Sequence, residues 1–197
     1  GSVGKTTAKE ATVRVLSETF SVRGSEKSFN NELGVPLTII GAHAPWRSVF
    51  RWLGVFARAL ALLIGKSRHY PSILVLEMGA DAPGDIEKLV SIAAPKIGVI
   101  TAIGPTHLEK LGSLERLVEE KMKIFSRHTR PDQWVVLNAD EPFLLSHQLP
   151  LTSSSPSLSS RRRPGSSPEI SSRRDSLFLF GSTDSSDLRI SDISERY

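Results

Sequence analysis

The sequence predicts an α/β fold with a doubly wound, mostly parallel sheet. Three short apolar runs (residues 73–77, 97–103 and 134–137) have the length of buried strands and alternate with segments of helical character. The chain begins on the glycine-rich stretch GSVGKTT, which suits a turn between a strand and a helix. In such a sheet we expect ligands at the carboxyl ends of the strands.

The first seven residues have the composition of a phosphate-binding loop. Gly4 lets backbone N–H groups turn toward an anion, Lys5 reaches the outer phosphates and Thr6 offers a hydroxyl to Mg²⁺. A helix predicted from Lys5 to Phe20 would direct the positive end of its dipole at the same anion. The candidate nucleotide-binding residues of the loop are Gly1, Ser2, Val3, Gly4, Lys5, Thr6 and Thr7. The alternative is a chance Gly-Lys-Thr in a surface turn, and the motif alone predicts a phosphate site, not a reaction.

Composition limits the classes of function. The 197 residues are 39% hydrophobic and 23% charged, which suits one domain, and a net charge of +4 is too small to indicate nucleic-acid binding. The absence of cysteine excludes disulfides and thiolate metal sites and fits a reducing cytoplasm. The polar N-terminal loop does not resemble a signal peptide.

The segment FNNELGVPLTII, Phe29 to Ile40, combines an irregular loop with a short apolar run over 37–40 that suits a strand or the start of a helix. Asn30 and Asn31 beside a phosphate site are candidates for substrate contact. Capping and turning of the chain explain the same two residues equally well, so both interpretations stay open.

Residues Trp46 to Ile64 predict an amphipathic helix. Arg47, Arg51 and Arg58 fall within about 40° of one another at 100° per residue, so they form one basic stripe on an otherwise apolar helix. Three arginines in so short a run argue against a membrane span. We expect the helix to pack on the domain, and contact with a membrane surface is the alternative.

Two strands deliver polar side chains to one edge of the predicted sheet. Glu77 ends the first buried strand, where a carboxylate suits a metal ligand. His107 follows the second buried strand, and its imidazole is a possible Mg²⁺ or Mn²⁺ ligand or simply a capping residue. Asn138 follows the third strand and presents a donor and an acceptor to an adenine edge, or else starts an Asx turn.

The composition changes beyond residue 150. Serine and arginine dominate 151–176, which predicts disorder, and regular patterning returns at 177–197 with LFLFG as a last strand. We therefore expect a domain over 1–150, a low-complexity segment over 151–176, and over 177–197 the last strand and a link to a further domain.

Taken together, the blocks GSVGKTT, FNNELGVPLTII, VLEMGA, VITAIGPTHLEKLGS, EEKMKIF, VLNADEP and LFLFG resemble the central ATP-binding domain of the Mur ligases, and among them the MurF type. The resemblance implies a P-loop NTPase-like fold, truncated at both ends. Its first strand, an N-terminal UDP-binding domain and a C-terminal domain would lie outside this chain.

The resemblance also implies roles for individual residues. Lys5, with the rest of the loop, binds ATP; Thr6 and Glu77 bind one Mg²⁺, and His107 holds a second metal ion. Lys121 matches a lysine whose side chain becomes a carbamate and a metal ligand. Met122 and Lys123 depart from the usual Gly-Glu that follows that lysine. Asn138 would face adenine; Asn30 and Asn31 would lie near the muropeptide.

The implied activity is cytoplasmic ATP-dependent amide-bond formation in peptidoglycan precursor synthesis by a monomer. ATP phosphorylates the carboxylate of UDP-MurNAc-tripeptide, and the amine of D-Ala-D-Ala attacks the acyl phosphate. The chain alone is expected to be inactive. Three alternatives remain: a MurE, folylpolyglutamate or cyanophycin type of ligase; a P-loop regulatory ATPase with a helix that docks on a membrane or partner; and a poorly folded fragment.

Overall fold

The computed structural model describes residues 2–26, 29–45, 47–65, 69–104, 108–125, 133–141, 144, 177–181 and 188–189. They contain two parallel sheets. The first pairs β1 (Val22–Gly24) with β2 (Ile73–Val75). The second has the order β3 (Ile97–Ile100), β4 (Trp134–Asn138), β5 (Leu177–Gly181), β6 (Leu188–Arg189). Every one of these strand pairs is parallel, and the predicted α/β fold class is confirmed.

Helices connect the strands. They are α1 (Lys5–Leu16), α2 (Gly34–Ile40), α3 (Val49–Leu63), α4 (Asp85–Ile92), α5 (Leu108–Leu111) and α6 (Leu114–Met122). The predicted first helix is therefore confirmed but ends earlier, and the apolar run over 37–40 is helical. Among the described helices, none has the length and apolar content required to cross a bilayer.

Two apolar clusters form the core. The first joins α2 and α4 to the chain after β2: Val35, Met78, Ala80, Ile86, Leu89 and Val90. The second joins β3, β4 and α6: Ile100, Val118, Phe125, Leu137 and Leu144. Both clusters lie beside the carboxyl ends of strands, so they fix the segments from which site residues project.

Two strands differ from the sequence prediction. Val22 to Gly24 form β1, which is not among the apolar runs predicted to be strands, and its backbone groups pair with those of β2. The run 97–103 was predicted to be fully buried, but Ile97 and Val99 are exposed while Gly98 and Ile100 are buried. Strand β3 is therefore covered on one face only among the described residues.

Helix α3 packs against α2, as expected of a helix on the domain, but it does so through its arginine side. Val55 is its only buried residue, and its arginine side borders α2 and the chain that follows α2. The large apolar side chains lie on the opposite side and are exposed. The predictions for Gly1, Trp46, His107 and the segment 151–176 fall outside the described residues.

Candidate functional site

The phosphate-type loop is held against the end of β3. Thr101 Oγ1 donates a hydrogen bond to the carbonyl of Val3 at 2.6 Å, and Ser2 Oγ donates to the carbonyl of Gly104 at 3.1 Å. Gly4 precedes α1 with φ +79°, in the left-handed region where a side chain is strained. These contacts fix where α1 begins and what its N-terminus faces.

Helix α1 begins directly after Gly4, so its first backbone N–H groups lie at the end of the loop. A helix N-terminus favours an anion, because unpaired N–H groups and the helix dipole act in the same direction. Lys5, the first residue of α1, places its Nζ 3.4 Å from the carbonyl of Ser2, so its side chain folds back over the loop. Lys5 thus lies beside the loop, and the binding of phosphate by the two together stays a prediction.

Three polar side chains contact the carboxylate of Glu77. Glu77 follows β2, is 6% exposed, and accepts a 2.9 Å hydrogen bond from Thr6 Oγ1 on Oε2. Asn30 Nδ2 donates to its Oε1 at 3.2 Å, and Lys9 Nζ lies 3.7 Å from Oε2. The N–H of Glu77 donates to Ser25 Oγ at 3.0 Å, which fixes the backbone at this position. The loop hydroxyl and the strand-end carboxylate, predicted as partners, do lie together.

A cavity of about 90 Å³ opens beside these groups. Its lining is polar, and it is formed by Ser2, Lys5, Asn30, Gly79, Ala80, Asp81 and Lys121. Three of the seven, Gly79, Ala80 and Asp81, were not among the candidate site residues of the sequence, and Asp81 is the most informative of them. Its carboxylate raises the pKa of Lys121, so it shares the electrostatic environment of the predicted catalytic lysine.

Lys121 is buried, at 6% exposure, near the end of α6. Burial and then the nearby charge of Lys5 lower its pKa to about 8, although Asp81 and Glu120 act in the opposite direction. At pH 7 about a tenth of such a side chain is a neutral amine, against well under about 0.1% at an ordinary lysine pKa. Lys121 therefore has a nucleophilic amine available near neutral pH.

The neighbouring Glu120 holds α6 in position. Its Oε1 accepts from the N–H of Ile86 at the start of α4 at 3.0 Å, and its Oε2 pairs with Lys123 at 2.8 Å. Burial raises the pKa of Glu120, but hydrogen bonds from the backbone of Gly84 and Ile86 and from Lys123 outweigh it and lower the pKa. Glu120 therefore positions the helix that carries Lys121.

The two asparagines of the predicted substrate loop have different surroundings. Asn30 contacts Glu77 and the cavity, whereas Asn31 Oδ1 accepts from the N–H groups of Leu33 and Gly34 at 3.3 and 2.8 Å. Asn31 thus forms the turn into α2, which is the capping alternative. Its contact with a substrate stays a prediction.

Asn138 ends β4, and its Oδ1 accepts from the N–H of Asp140 at 3.0 Å. This is the Asx turn that the sequence left open beside an adenine contact. The adenine contact stays a prediction, as do the roles of Gly1 and His107, which lie outside the described residues.

A magnesium ion fits part of this arrangement. The hydroxyl of Thr6 and the carboxylate of Glu77 are hard oxygen donors within hydrogen-bond distance of each other, which is the donor chemistry that Mg²⁺ prefers. Within the described residues, no three His, Cys, Asp or Glu side chains gather as one metal centre. Water and phosphate oxygens would have to complete a magnesium shell at Thr6 and Glu77.

The fold and the loop define a class of protein: a parallel α/β domain with a phosphate-type loop facing a strand-end carboxylate. Comparison with known families makes the class specific. The family described as Mur ligase middle domain matches residues 59–157. The chain belongs to the Mur ligase family and contains its middle domain.

Individual relatives agree with the family. The chain is 33% identical over 144 residues to a UDP-N-acetylmuramoyl-tripeptide–D-alanyl-D-alanine ligase of Bacillus subtilis, covering 73% of this chain and 26% of that protein. It is 34% identical over 142 residues to the ligase of the same name from Mycobacterium leprae, covering 72% and 22%. The chain thus spans about a quarter of the length of the curated relatives it matches.

Solved structures give the same fold. MurF of Thermotoga maritima in complex with ADP superimposes with a TM-score of 0.59 at 28% identity, covering 95% of this chain and 32% of that one. MurF of Acinetobacter baumannii, at 20% identity, matches with a TM-score of 0.64 over 96% of this chain and 31% of that one. The second match supports the fold alone.

Proposed function

We propose that this chain is the ATP-binding part of a ligase that joins D-Ala-D-Ala to UDP-MurNAc-tripeptide through an acyl phosphate. The relatives named above carry this activity in their names, and one neighbouring structure holds ADP. The observation that supports the proposal most is the polar cavity that Lys5 of the loop and the buried Lys121 line together. The contact between Thr6 and Glu77 lies beside it. Because ATP and a UDP-linked substrate are used, we place the reaction in the cytoplasm.

In this proposal the loop and α1 bind the ATP phosphates, and Lys5 offsets charge that moves between phosphate and carboxylate oxygens. Phosphoryl transfer depends mainly on positioning and charge neutralisation, so a fixed cation and fixed N–H donors suffice for that role. Thr6 and Glu77 would hold a Mg²⁺ ion, which supplies further neutralisation when bound. Asn30 keeps the Glu77 carboxylate oriented toward Thr6.

Lys121 is proposed to act as a carbamate. The ammonium first loses one proton to solvent. The neutral amine then attacks CO₂, an N–C bond forms as one C–O π bond breaks, and a second proton leaves, so a cation becomes an anion. Burial and Lys5 disfavour the ammonium, and an anion at the same place would instead be attracted to Lys5. The modified side chain would then be a carboxylate-like ligand for a second metal ion, with His107 as the proposed partner ligand.

We propose that the ligase works as a monomer, as the family resemblance implies. The substrate identities rest on the relatives, because the chain covers only a part of their length. Asn30 and Asn31 remain the proposed neighbours of the muropeptide and Asn138 the proposed neighbour of adenine.

Nucleotide binding is the first test. Calorimetric titration of this chain with Mg²⁺-ATP should show binding that Lys5→Ala weakens by about ten- to a hundredfold, as expected for loss of a charge-assisted phosphate contact. Lys88→Ala is the matched control, since Lys88 is a 64% exposed lysine on α4 and pairs only with its helix neighbour Asp85 in the described contacts. Equal losses in both variants, or tight binding by Lys5→Ala, would contradict the assignment of the loop.

The acceptor is tested on the natural full-length chain by ADP release. D-Ala-D-Ala should support turnover with UDP-MurNAc-tripeptide, whereas the amino acids used by MurE, folylpolyglutamate or cyanophycin types of ligase should not. Turnover with one of those acceptors instead would keep the ATP site and refute the proposed substrate. ATP hydrolysis that no acceptor stimulates would favour a regulatory ATPase.

A further inference from the structure

Helix α3 carries an apolar surface that the described part of the chain leaves uncovered. We call it the apolar face of α3, and it consists of Val49, Phe50, Leu53, Phe56, Leu60, Leu63 and the adjoining Ile64. Each of these residues is between 56 and 85% exposed. Large apolar side chains gathered on one helix face, not scattered, indicate a surface that binds something.

The orientation of the helix follows from how it is attached. Val55 is buried, and Arg58 Nε donates a 2.9 Å hydrogen bond to the carbonyl of Ile40 at the end of α2. Arg51 and Arg58 border a cavity of about 540 Å³ with the segment 41–45. At 100° per residue, Phe56 and Leu60 lie about 160° from Arg58 around the helix axis, so attachment through the arginine side turns the apolar face outward.

The charge of this region is one-sided. From residue 33 to residue 76 the sequence contains no Asp or Glu, but it contains five cationic side chains: Arg47, Arg51, Arg58, Lys66 and Arg68. Three of them belong to α3 and its approach, and Arg47, Arg51 and Arg58 are all exposed. An apolar helix face within a stretch of purely positive charge complements a surface that is both apolar and anionic.

The length and charge of α3 argue against a transmembrane span and against a second copy as the occupant. Fifteen residues of α3 extend about 22 Å, which is shorter than the roughly 30 Å hydrocarbon core of a bilayer, so α3 does not span it. Pairing with α3 of a second copy would bring two all-cationic segments together, and like charges across an interface repel. A helix that lies on a bilayer surface does not have to match the bilayer thickness, and an anionic surface attracts its positive charge.

We propose that α3 binds an anionic lipid bilayer, lying in the interface with its apolar face among the acyl chains. Interfacial helices combine one face of Phe, Trp and Leu with Lys or Arg on the other, as α3 does. The arginines lie within about a helix diameter, roughly 10 Å, of the lipid surface, which is close to one Debye length at physiological salt. This inference stands apart from the ligase proposal, since none of its residues lines the cavity at Lys5 and Lys121.

The test is vesicle sedimentation with the natural full-length chain. Phosphatidylcholine vesicles that contain phosphatidylglycerol should bind the protein at least about tenfold more tightly than pure phosphatidylcholine, because each nearby arginine contributes about fivefold on an anionic surface. Phe56→Gln/Leu60→Gln should weaken binding by about tenfold or more, since two apolar side chains leave the acyl region. Raising the salt concentration should lower binding.

A matched pair of substitutions controls for exposed apolar side chains in general. Val15 on α1 and Phe20 after it are 71 and 50% exposed, and they lie away from α3 in the sequence. Val15→Gln/Phe20→Gln should bind vesicles within about twofold of the unmodified chain if α3 is the docking surface. Thermal unfolding of each variant confirms that the compared proteins are folded.

Three results would overturn the proposal. They are no binding of the folded protein to anionic vesicles, equal weakening by both pairs of substitutions, and unchanged binding by Phe56→Gln/Leu60→Gln. Self-association in analytical ultracentrifugation that Phe56→Gln/Leu60→Gln abolishes would also overturn it, by assigning the apolar face to a second copy.

Discussion

Replacing Lys121 with methionine should stabilise the fold at neutral pH, although it removes a proposed catalytic residue. Methionine has nearly the length of lysine and no charge, so it fits the same buried position without an ammonium group. Burial disfavours the ammonium of Lys121, and the charge of Lys5 adds to this effect. Functional sites often contain residues that lower the stability of the fold, because such residues are retained for activity and not for packing.

The magnitude follows from the pKa of Lys121. The folded pKa of about 8 lies below the ordinary value of 10.5, so between these pH values the unfolded chain binds more protons than the folded one. The free energy of unfolding of the unmodified chain must therefore rise with pH in that window, relative to the methionine variant. From pH 7 to pH 9.5 the rise is about 2 kcal/mol, because one pKa unit corresponds to about 1.4 kcal/mol. Well below pH 8, Lys121 is protonated in both the folded and the unfolded chain, and its destabilisation of the fold is then at its maximum.

The assay is thermal or urea unfolding of both chains, without nucleotide or bicarbonate, at several pH values. The advantage of Lys121→Met should be largest at pH 7 and smaller by about 2 kcal/mol at pH 9.5, which is about 4–8 °C in midpoint for a chain of this size. An advantage that is the same at both pH values would refute the reasoning.

Lys123→Met is the matched control for Lys121→Met. A side-chain hydrogen bond to Glu120 raises the pKa of Lys123, so the sign is opposite to that of Lys121. The substitution should therefore destabilise the chain at pH 7. The deficit should persist through pH 9.5 and shrink only as pH rises through the raised pKa. A deficit that vanished below pH 9 would contradict the contact between Lys123 and Glu120.

Two further predictions concern the framework of the site. Gly34→Ala should destabilise the fold by about 1–3 kcal/mol in urea unfolding, since its Cβ would lie 2.6 Å from Cα of Phe29. Gly54→Ala, with nothing within 4 Å of its Cβ in the interior of α3, should stabilise by about 0.5–1 kcal/mol; loss in both variants would contradict the packing. Glu120→Gln should cost about 1–3 kcal/mol at pH 7, because the neutral amide can still accept from the N–H of Ile86 but loses the charge that pairs with Lys123. Because the pKa of Glu120 is lowered from 4.5, this loss should fade only as pH drops below 4.5 through the folded pKa, and a loss equal at pH 3 and pH 7 would refute the charge's role.

The strands that could be predicted from the sequence are those with a continuous apolar run. The runs that became β2, β3 and β4 are apolar because both faces of a parallel strand are usually covered. Strand β1 was missed because its three residues, Val22 to Gly24, include an arginine and a glycine, and the strand is specified by pairing with β2. The partner in that pairing is about fifty residues away, and no local pattern reveals it.

The orientation of α3 could not be predicted for a related reason. Periodicity identifies which side chains share a face, but not which face meets the rest of the molecule. The usual expectation places the apolar face inward. Here the contacts of Arg58 with the end of α2 and the burial of Val55 decide the orientation.

The part of the site that could be predicted is the part with a recognisable sequence pattern, which is the phosphate-type loop and the end of β2. Glycine, lysine and threonine in the loop have roles that follow from backbone geometry, and Glu77 was found because it ends a strand. Lys9 and Asp81 were missed because each is a common surface residue type whose relevance depends on tertiary contacts. The tetrapeptide after Glu77, with a carboxylate four residues beyond the strand-end carboxylate, was the available signal for Asp81.

The two sheets meet at the phosphate-type loop, and this meeting explains the chemistry of the site. Ser2 and Val3 bond to the end of β3 in one sheet, while Thr6 bonds to Glu77 after β2 in the other. An anion at the loop would thus be contacted from both sheets, and its position would depend on the polar contacts that join them. Hydrogen bonds are directional and apolar contacts are not, so a junction made of hydrogen bonds sets positions more narrowly. Lys5 and Lys121 line the cavity at this junction together with Asp81, and an anionic ligand bound across both sheets would offset the charge of the two lysines.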